Sequence, residues 1–335
     1  MSSRLVPVLL AGAVVAAAFG GYRVLVGDDE PAVAIPAPAT TTPPRPDGPW
    51  PPLETEGADR VPPGVLFTAV SGIMAPITAD LGGGSYEVQT PCDARAVVTG
   101  FPLAGAHVVL DPGHGGDEPG AVGPNGLLEK DLNLAVARLT AERLREAGAT
   151  VVLTRDDDLR VTIATRAGIV LGLRPVAFLS IHHNAASDGP SPTPGTEAYF
   201  QVASPDSRRL AGLVVEEVRA ALAPFGGPWE SDTDNGAKAR VRSDNTAEDF
   251  YGVLRRTVGV PSVLSEAGYL SNPAEAELFA REDVQQAEAD ALARALTRFV
   301  TGEDAGDDAF SPSPPSTGPS GGSGGTAEGC VDPVL

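Results

Sequence analysis

The middle of the chain switches repeatedly between two hydrophobic periods. Residues 85–90 and 95–99 alternate apolar and polar positions around 91–94, which predicts a small hairpin. Residues 106–111 form a short apolar run ending at Pro-Gly and read as a strand. Leu132, Val136 and Leu139 then recur at helical spacing, with Ala135 beside them, and Gly148 closes that helix. Residues 149–154 predict a strand, 162–173 a helix, and 176–181 another strand. Residues 196–201 read as a further strand, 205–222 as a long helix, 261–266 as a strand and 283–300 as a helix. Strands alternating with helices predict an α/β fold: a single three-layer sandwich domain whose twisted, mostly parallel sheet is flanked by helices. In such sheets functional residues gather at the carboxyl ends of the strands.

The flanks are different in kind. Residues 27–64 are rich in Pro, Ala, Thr and Asp, with nine prolines between Pro31 and Pro52, and cannot build a core. The organisation expected is therefore an export segment at 1–26, a Pro-rich tether and poorly structured lead-in at 27–84, a domain at 85–301, and a Gly/Ser/Pro-rich tail at 302–335. Within the first segment Arg4 precedes an uncharged run over 5–21, and Ala16, Ala17 and Ala18 resemble a cleavage site. That run lies on the border between a signal peptide and a retained membrane anchor. Either way the chain is expected in the cell envelope. Its net charge of -20 excludes nucleic acid and anionic membrane surfaces as natural partners. Nothing in the pattern demands more than a monomer. In an exported protein the two cysteines, Cys92 and Cys330, read as a disulfide, the alternative being two free thiols.

Candidate chemistry is concentrated in few residues. Of four histidines, His114, His182 and His183 stand just past predicted strands, whereas His107 lies within one and reads as structural. Glu129 opens the helix between them. Two imidazoles and a carboxylate at one sheet edge give the His₂Glu set of many hydrolytic zinc sites, which leave a fourth position for water. Zinc lowers the pKa of such a water toward about 7. Taken alone, Glu129 is as well explained by the dipole at a helix start. His182 and His183 point to opposite faces of a strand, so only one serves a given metal. His182 is the choice, because it shares a face with Ser180 and Asn184. Glu266, at the end of the predicted strand 261–266, fits either a general base or a capping glutamate.

Five stretches then align. Residues 109–116 (Val-Leu-Asp-Pro-Gly-His-Gly-Gly), 129–133 (Glu-Lys-Asp-Leu-Asn), 153–155 (Leu-Thr-Arg), 179–185 (Leu-Ser-Ile-His-His-Asn-Ala) and 265–272 (Ser-Glu-Ala-Gly-Tyr-Leu-Ser-Asn) resemble the zinc-dependent N-acetylmuramoyl-L-alanine amidases, in that family's order. The resemblance covers about 106–301. It implies one Zn²⁺ per chain held by His114, Glu129 and His182, with Glu266 as the catalytic acid/base. It further implies peptidoglycan or muropeptide fragments as substrate, cut at the amide between N-acetylmuramic acid and L-alanine. Arg155 and Arg166 match positions commonly basic in the family, and Asn184 and Arg166 are candidates for substrate contact. Tyr269 stands where phenylalanine is more usual, and Ala267 where a larger apolar residue often sits. The alternatives are an inactive wall-binding relative and a different zinc hydrolase of wall fragments.

Overall fold

The apolar runs are strands because each is covered on both faces. The computed structural model describes residues 48–53, 64–186, 189–192, 194–226, 236–318 and 327–335. In chain order, β1 (Val65–Thr68), β2 (Met74–Gly82), β3 (Ser85–Gln89) and β4 (Arg95–Leu103) close a small antiparallel barrel. There follow β5 (Val108–Pro112), α1 (Glu129–Glu146), β6 (Val151–Leu153), α2 (Ile163–Leu173), β7 (Ala177–Asn184), β8 (Glu197–Phe200) and α3 (Pro205–Leu222). The chain continues through β9 (Gly236–Lys238), β10 (Arg240–Arg242), α4 (Gly252–Arg255), β11 (Ser262–Tyr269), α5 (Pro273–Phe279), α6 (Glu282–Val300) and β12 (Ser316–Gly318).

Six strands form one sheet in the order β6-β5-β7-β11-β8-β9. The first four run parallel; β8 enters antiparallel to β11, and β9 lies parallel to β8. Helices α1, α3 and α6 cover one face through residues such as Leu132, Val136, Leu213 and Leu292. The other face is covered by α2, α4 and β1 through Ile169, Val170, Leu254 and Val65. This is the expected three-layer sandwich with a mostly parallel sheet. Helix starts are written locally: the side chains of Thr162, Ser204 and Asn272 accept hydrogen bonds from N–H groups of the first turns of α2, α3 and α5.

Three expectations need correction. Residues 65–82 are not a poorly structured lead-in, since they supply β1 and β2, and β1 pairs with both β2 and β4. The predicted strands 176–181 and 261–266 were too short. β7 and β11 stay paired as far as Tyr269 opposite Asn184, so His182, His183 and Asn184 lie inside the ladder rather than past it. Nor is the start of the tail free. Ala309 is buried, β12 pairs in parallel with β10, and the Phe310 ring lies 3.8 Å beneath the Arg208 guanidinium. A Cβ at Gly212 would come within 2.5 Å of that ring, so a glycine in α3 is what lets Phe310 dock.

The far end of the chain is fastened to the barrel. Cys92 and Cys330 form a disulfide with their Cα atoms 5.6 Å apart. The Asp332 carboxylate accepts hydrogen bonds from Thr90 Oγ1 at 2.7 Å and the Cys92 N–H at 2.8 Å. Leu335 packs on the barrel core. At the opposite end of β5, His107 is structural: its Nδ1 accepts from the Thr150 N–H and its Nε2–H donates to the Pro51 carbonyl. Among the described residues no helix is long and apolar enough to cross a membrane. The export segment and most of the Pro-rich tether lie outside the described residues.

The disulfide closes a loop of 238 residues, and a covalent link of that span restricts the unfolded chain. Replacing both cysteines by serine is expected to lower stability by about 2–4 kcal/mol, read as a lower denaturant midpoint. An unchanged midpoint would show that Asp332 and Leu335 hold the tail unaided.

Candidate metal centre

The site begins with a strained turn. β5 ends at Pro112, and the chain turns back through Gly113 and His114, whose φ of 60° is in the left-handed region. Non-glycine residues adopt that conformation only where surroundings compel it. Two buried guanidinium groups supply the compulsion. Arg155 donates to the carbonyls of Pro112, Gly113 and Lys130, tying the turn to the start of α1. Arg166 donates to the carbonyls of Pro112 and His114. Beneath them Asp111 pairs with Arg166 and accepts from Thr154 and Ser180. Burial would raise the Asp111 pKa, but the Arg166 charge and these hydrogen bonds hold it below the ordinary carboxylate value. Burial, reinforced by the neighbouring Arg166 charge, brings Arg155 down to about 10.

Glu129, the first residue of α1, is 4% exposed. Its Oε1 lies 2.9 Å from His182 Nδ1 and 3.2 Å from both the His183 N–H and Asn133 Nδ2. Its Oε2 accepts from the Ala121 N–H at 2.7 Å and lies 3.2 Å from His114 Nε2. Burial works against its charge, yet hydrogen bonds to His114 and His182 outweigh it and hold the carboxyl well below its usual value. Burial likewise lowers the pKa of His182, against the pull of Glu129; the neutral imidazole so favoured is the form that binds metals.

Two glycines make room for this cluster. A Cβ at Gly113 would lie 2.1 Å from the His182 ring, and one at Gly120 would lie 2.4 Å from Glu129 Oε2 and 2.6 Å from His114. One ligand atom from each of His114, Glu129 and His182 lies within 4.8 Å of the others. Zinc bonds of about 2.0–2.1 Å set tetrahedral neighbours roughly 3.3 Å apart. The 2.9 and 3.2 Å spacings run to the two different Glu129 oxygens and bring the three residues within reach of one ion, and two imidazoles with one carboxylate are a donor set that suits zinc.

Glu266 stands next to the cluster. Across the sheet, His182 of β7, Glu266 of β11 and Glu197 of β8 occupy one row of the ladder. Glu266 Oε2 is buried and has no hydrogen-bond partner among the described residues. Burial, then the charges of Glu129 and Glu197, push its pKa well above the ordinary range. Glu197 is engaged elsewhere, with Lys238, Tyr199 and Asn184. These residues open onto a cavity of about 590 Å³. It is lined by His114, Glu129, His182 and Glu266, by the start of α2, by residues 250–253, 255 and 256, by Glu118, Gly120 and Ala121, and by Ala327 of the fastened tail.

The structure thus brings His114, Glu129, His182 and Glu266 together and turns His183 to the opposite face. Arg166 and Asn184 also line the cavity. Arg166 pairs with Asp111 and donates to three backbone carbonyls, and Asn184 donates to Glu197 while accepting from the Ala185 N–H. Glu197 and Glu288 escaped the sequence reading, and Asp111 and Asn133 entered it only as members of the quoted stretches, without roles. Glu288 left a usable trace, a carboxylate in the apolar stripe of α6 beside Val284, Ala291, Leu292 and Ala295.

The same stretch of chain is similar to known proteins. A family model described as N-acetylmuramoyl-L-alanine amidase matches residues 108–298. The Bacillus subtilis protein YqiI is 36% identical over 193 residues, covering 57% of this chain and 83% of that protein. The germination-specific N-acetylmuramoyl-L-alanine amidase of B. subtilis is 30% identical over 207 residues, covering 57% and 78% respectively. Among solved structures, the CwlD amidase of Clostridioides difficile, determined in complex with the GerS lipoprotein, superposes with a TM-score of 0.50. It is 26% identical, with 58% of this chain and 98% of that one covered.

The crowding at Gly113 gives a direct check on the ligand set. Gly113→Ala is expected to push the His182 ring aside and weaken zinc binding about 10- to 100-fold, measured by competition with a chromophoric chelator. Wild-type affinity in that variant would show that the turn yields without moving the ring.

Proposed function

Because the chain belongs to the N-acetylmuramoyl-L-alanine amidase family, we propose that it binds one zinc ion through His114, Glu129 and His182 and hydrolyses the amide between N-acetylmuramic acid and the L-alanine of the peptidoglycan stem peptide. The observation that carries the reading is the meeting of those three ligands beside Glu266, a buried carboxyl with one unpartnered oxygen. Zinc, when bound, supplies Lewis acidity that activates water and polarises the amide carbonyl.

The chain's own residues do the rest. Ala121, Asn133 and His183 hold the Glu129 carboxylate in place through N–H donors. Arg155 and Arg166 keep the His114 turn from relaxing. Glu266 accepts the proton of the attacking water and returns it to the departing amine nitrogen. Burial and the charges of Glu129 and Glu197 raise its pKa, which favours the donating half of that task. The substrate lies in the cell envelope, so the uncharged run 5–21 serves as an export signal or anchor and the Pro-rich stretch as a tether. The enzyme works as a monomer.

Mass spectrometry of muropeptides after digestion of purified peptidoglycan tests the reaction. Expected products are free stem peptides beginning with L-alanine and uncut glycan, with activity lost to a chelator and restored by zinc. Broken glycan strands or shortened peptides still attached to the sugar would identify a different hydrolase. Glu266→Ala is expected to retain one zinc per chain and to lose about 10²–10⁴ in turnover; full activity would remove Glu266 from the mechanism.

A further inference from the structure

Behind the metal ligands, on the other face of the sheet, runs a buried polar chain that the reaction itself does not use. His183 follows His182 in β7 and therefore points the opposite way, toward α1 and α6. Its Nδ1 lies 2.8 Å from Asn133 Oδ1 and its Nε2 lies 3.1 Å from Glu288 Oε2. The His183 and Glu288 side chains are 0% exposed. Asn133 in turn donates from Nδ2 to Glu129 Oε1, and the His183 backbone N–H donates to the same oxygen. The Phe279 ring packs edge-on against the His183 imidazole at 4.6 Å between centroids.

Hydrogen-bond partners give this chain a direction. Asn133 Nδ2 donates to two acceptors, Glu129 Oε1 and the Gly113 carbonyl, which leaves Oδ1 to face His183 Nδ1. Glu288 Oε2 meets the far ring nitrogen, Nε2. Glu288 and Asn133 thus hold the imidazole from both sides, and the ring braces the Asn133 amide that donates to Glu129.

The pair is poorly explained as a stabilising device. Buried ion pairs are often replaced by apolar residues of similar volume with no loss of stability. Here the compensation is incomplete, because Glu288 Oε1 is buried without a hydrogen-bond partner among the described residues. We propose that Glu288 and His183, acting through Asn133, are positioning residues that orient Glu129 as a metal ligand. Partners that orient metal ligands typically change metal affinity or activity 10- to 100-fold when removed. The inference rests on the zinc reading of the site.

The test measures zinc affinity by chelator competition, together with the unfolding midpoint of the metal-free protein, for wild type, Glu288→Gln and Glu288→Leu. Glutamine can keep a hydrogen bond to His183 Nε2 and so hold the ring in place, and its affinity is expected within about threefold of wild type. Leucine removes the link and is expected to weaken zinc binding about tenfold or more, with the metal-free midpoint unchanged or raised. Wild-type zinc affinity in Glu288→Leu overturns the proposal. If Glu288→Leu does not fold, Asn133→Leu breaks the chain one step nearer the metal, and an unweakened affinity there overturns the proposal equally. A wild-type protein that binds no zinc would instead overturn the metal reading, and this inference with it.

Discussion

An ionised carboxylate as deeply buried as that of Glu129 persists only if every lone pair finds a donor or a cation. Five groups converge on it: two imidazoles, two backbone N–H groups and one side-chain amide. They come from three stretches of chain, the loop 113–121, α1 and β7, so the carboxylate dictates how those stretches meet. α1 must start where β5 ends, the 113–121 loop must fold back over it, and β7 must run far enough to bring its backbone alongside. The glycines at 113 and 120 follow from the same crowding, because neither position has space for a Cβ.

Around that point the charges are arranged in opposing layers. Asp111 neutralises Arg166 below the turn, and the two arginines bind carbonyls rather than carboxylates of the site. Glu266 and Glu197 lie alongside, and among the described residues no cation pairs with Glu266 as Arg166 does with Asp111. Hydrogen bonds hold the Glu129 pKa down while burial and neighbouring charge raise that of Glu266, within one cavity. On the proposed reading those divergent environments suit one carboxyl as metal ligand and the other as proton carrier.

Most of the sandwich was legible because its periods are local. The helix at 205–222 could be bounded from Ser204, Pro205 and the spacing of its apolar residues, and the choice of His182 over His183 needed only strand alternation. Of the barrel, the hairpin of β3 and β4 was legible, but β1, β2 and the closure were not. β2 carries Pro76, ends at Gly82 with Gly83 and Gly84 following, and stands just after the Pro-rich stretch, while closure depends on β1 pairing with β4, some 35 residues away in sequence. In the site, residue types and spacing left Glu129 and Glu266 open and the resemblance to the amidase family selected them, whereas the hydrogen-bond partners of Arg166 and Asn184 could not be read from either. Those partners include Asp111 and Glu197, supplied by other strands.

The central claim is that His114, Glu129 and His182 together hold a zinc ion. X-ray absorption at the zinc edge of the purified protein tests it most directly. The account predicts stoichiometric zinc with two imidazole nitrogens at about 2.0–2.1 Å and oxygen ligands in the remaining positions, and a signal lost on replacing His182. A protein without bound zinc, or a shell without imidazole that survives His182→Ala, would contradict it.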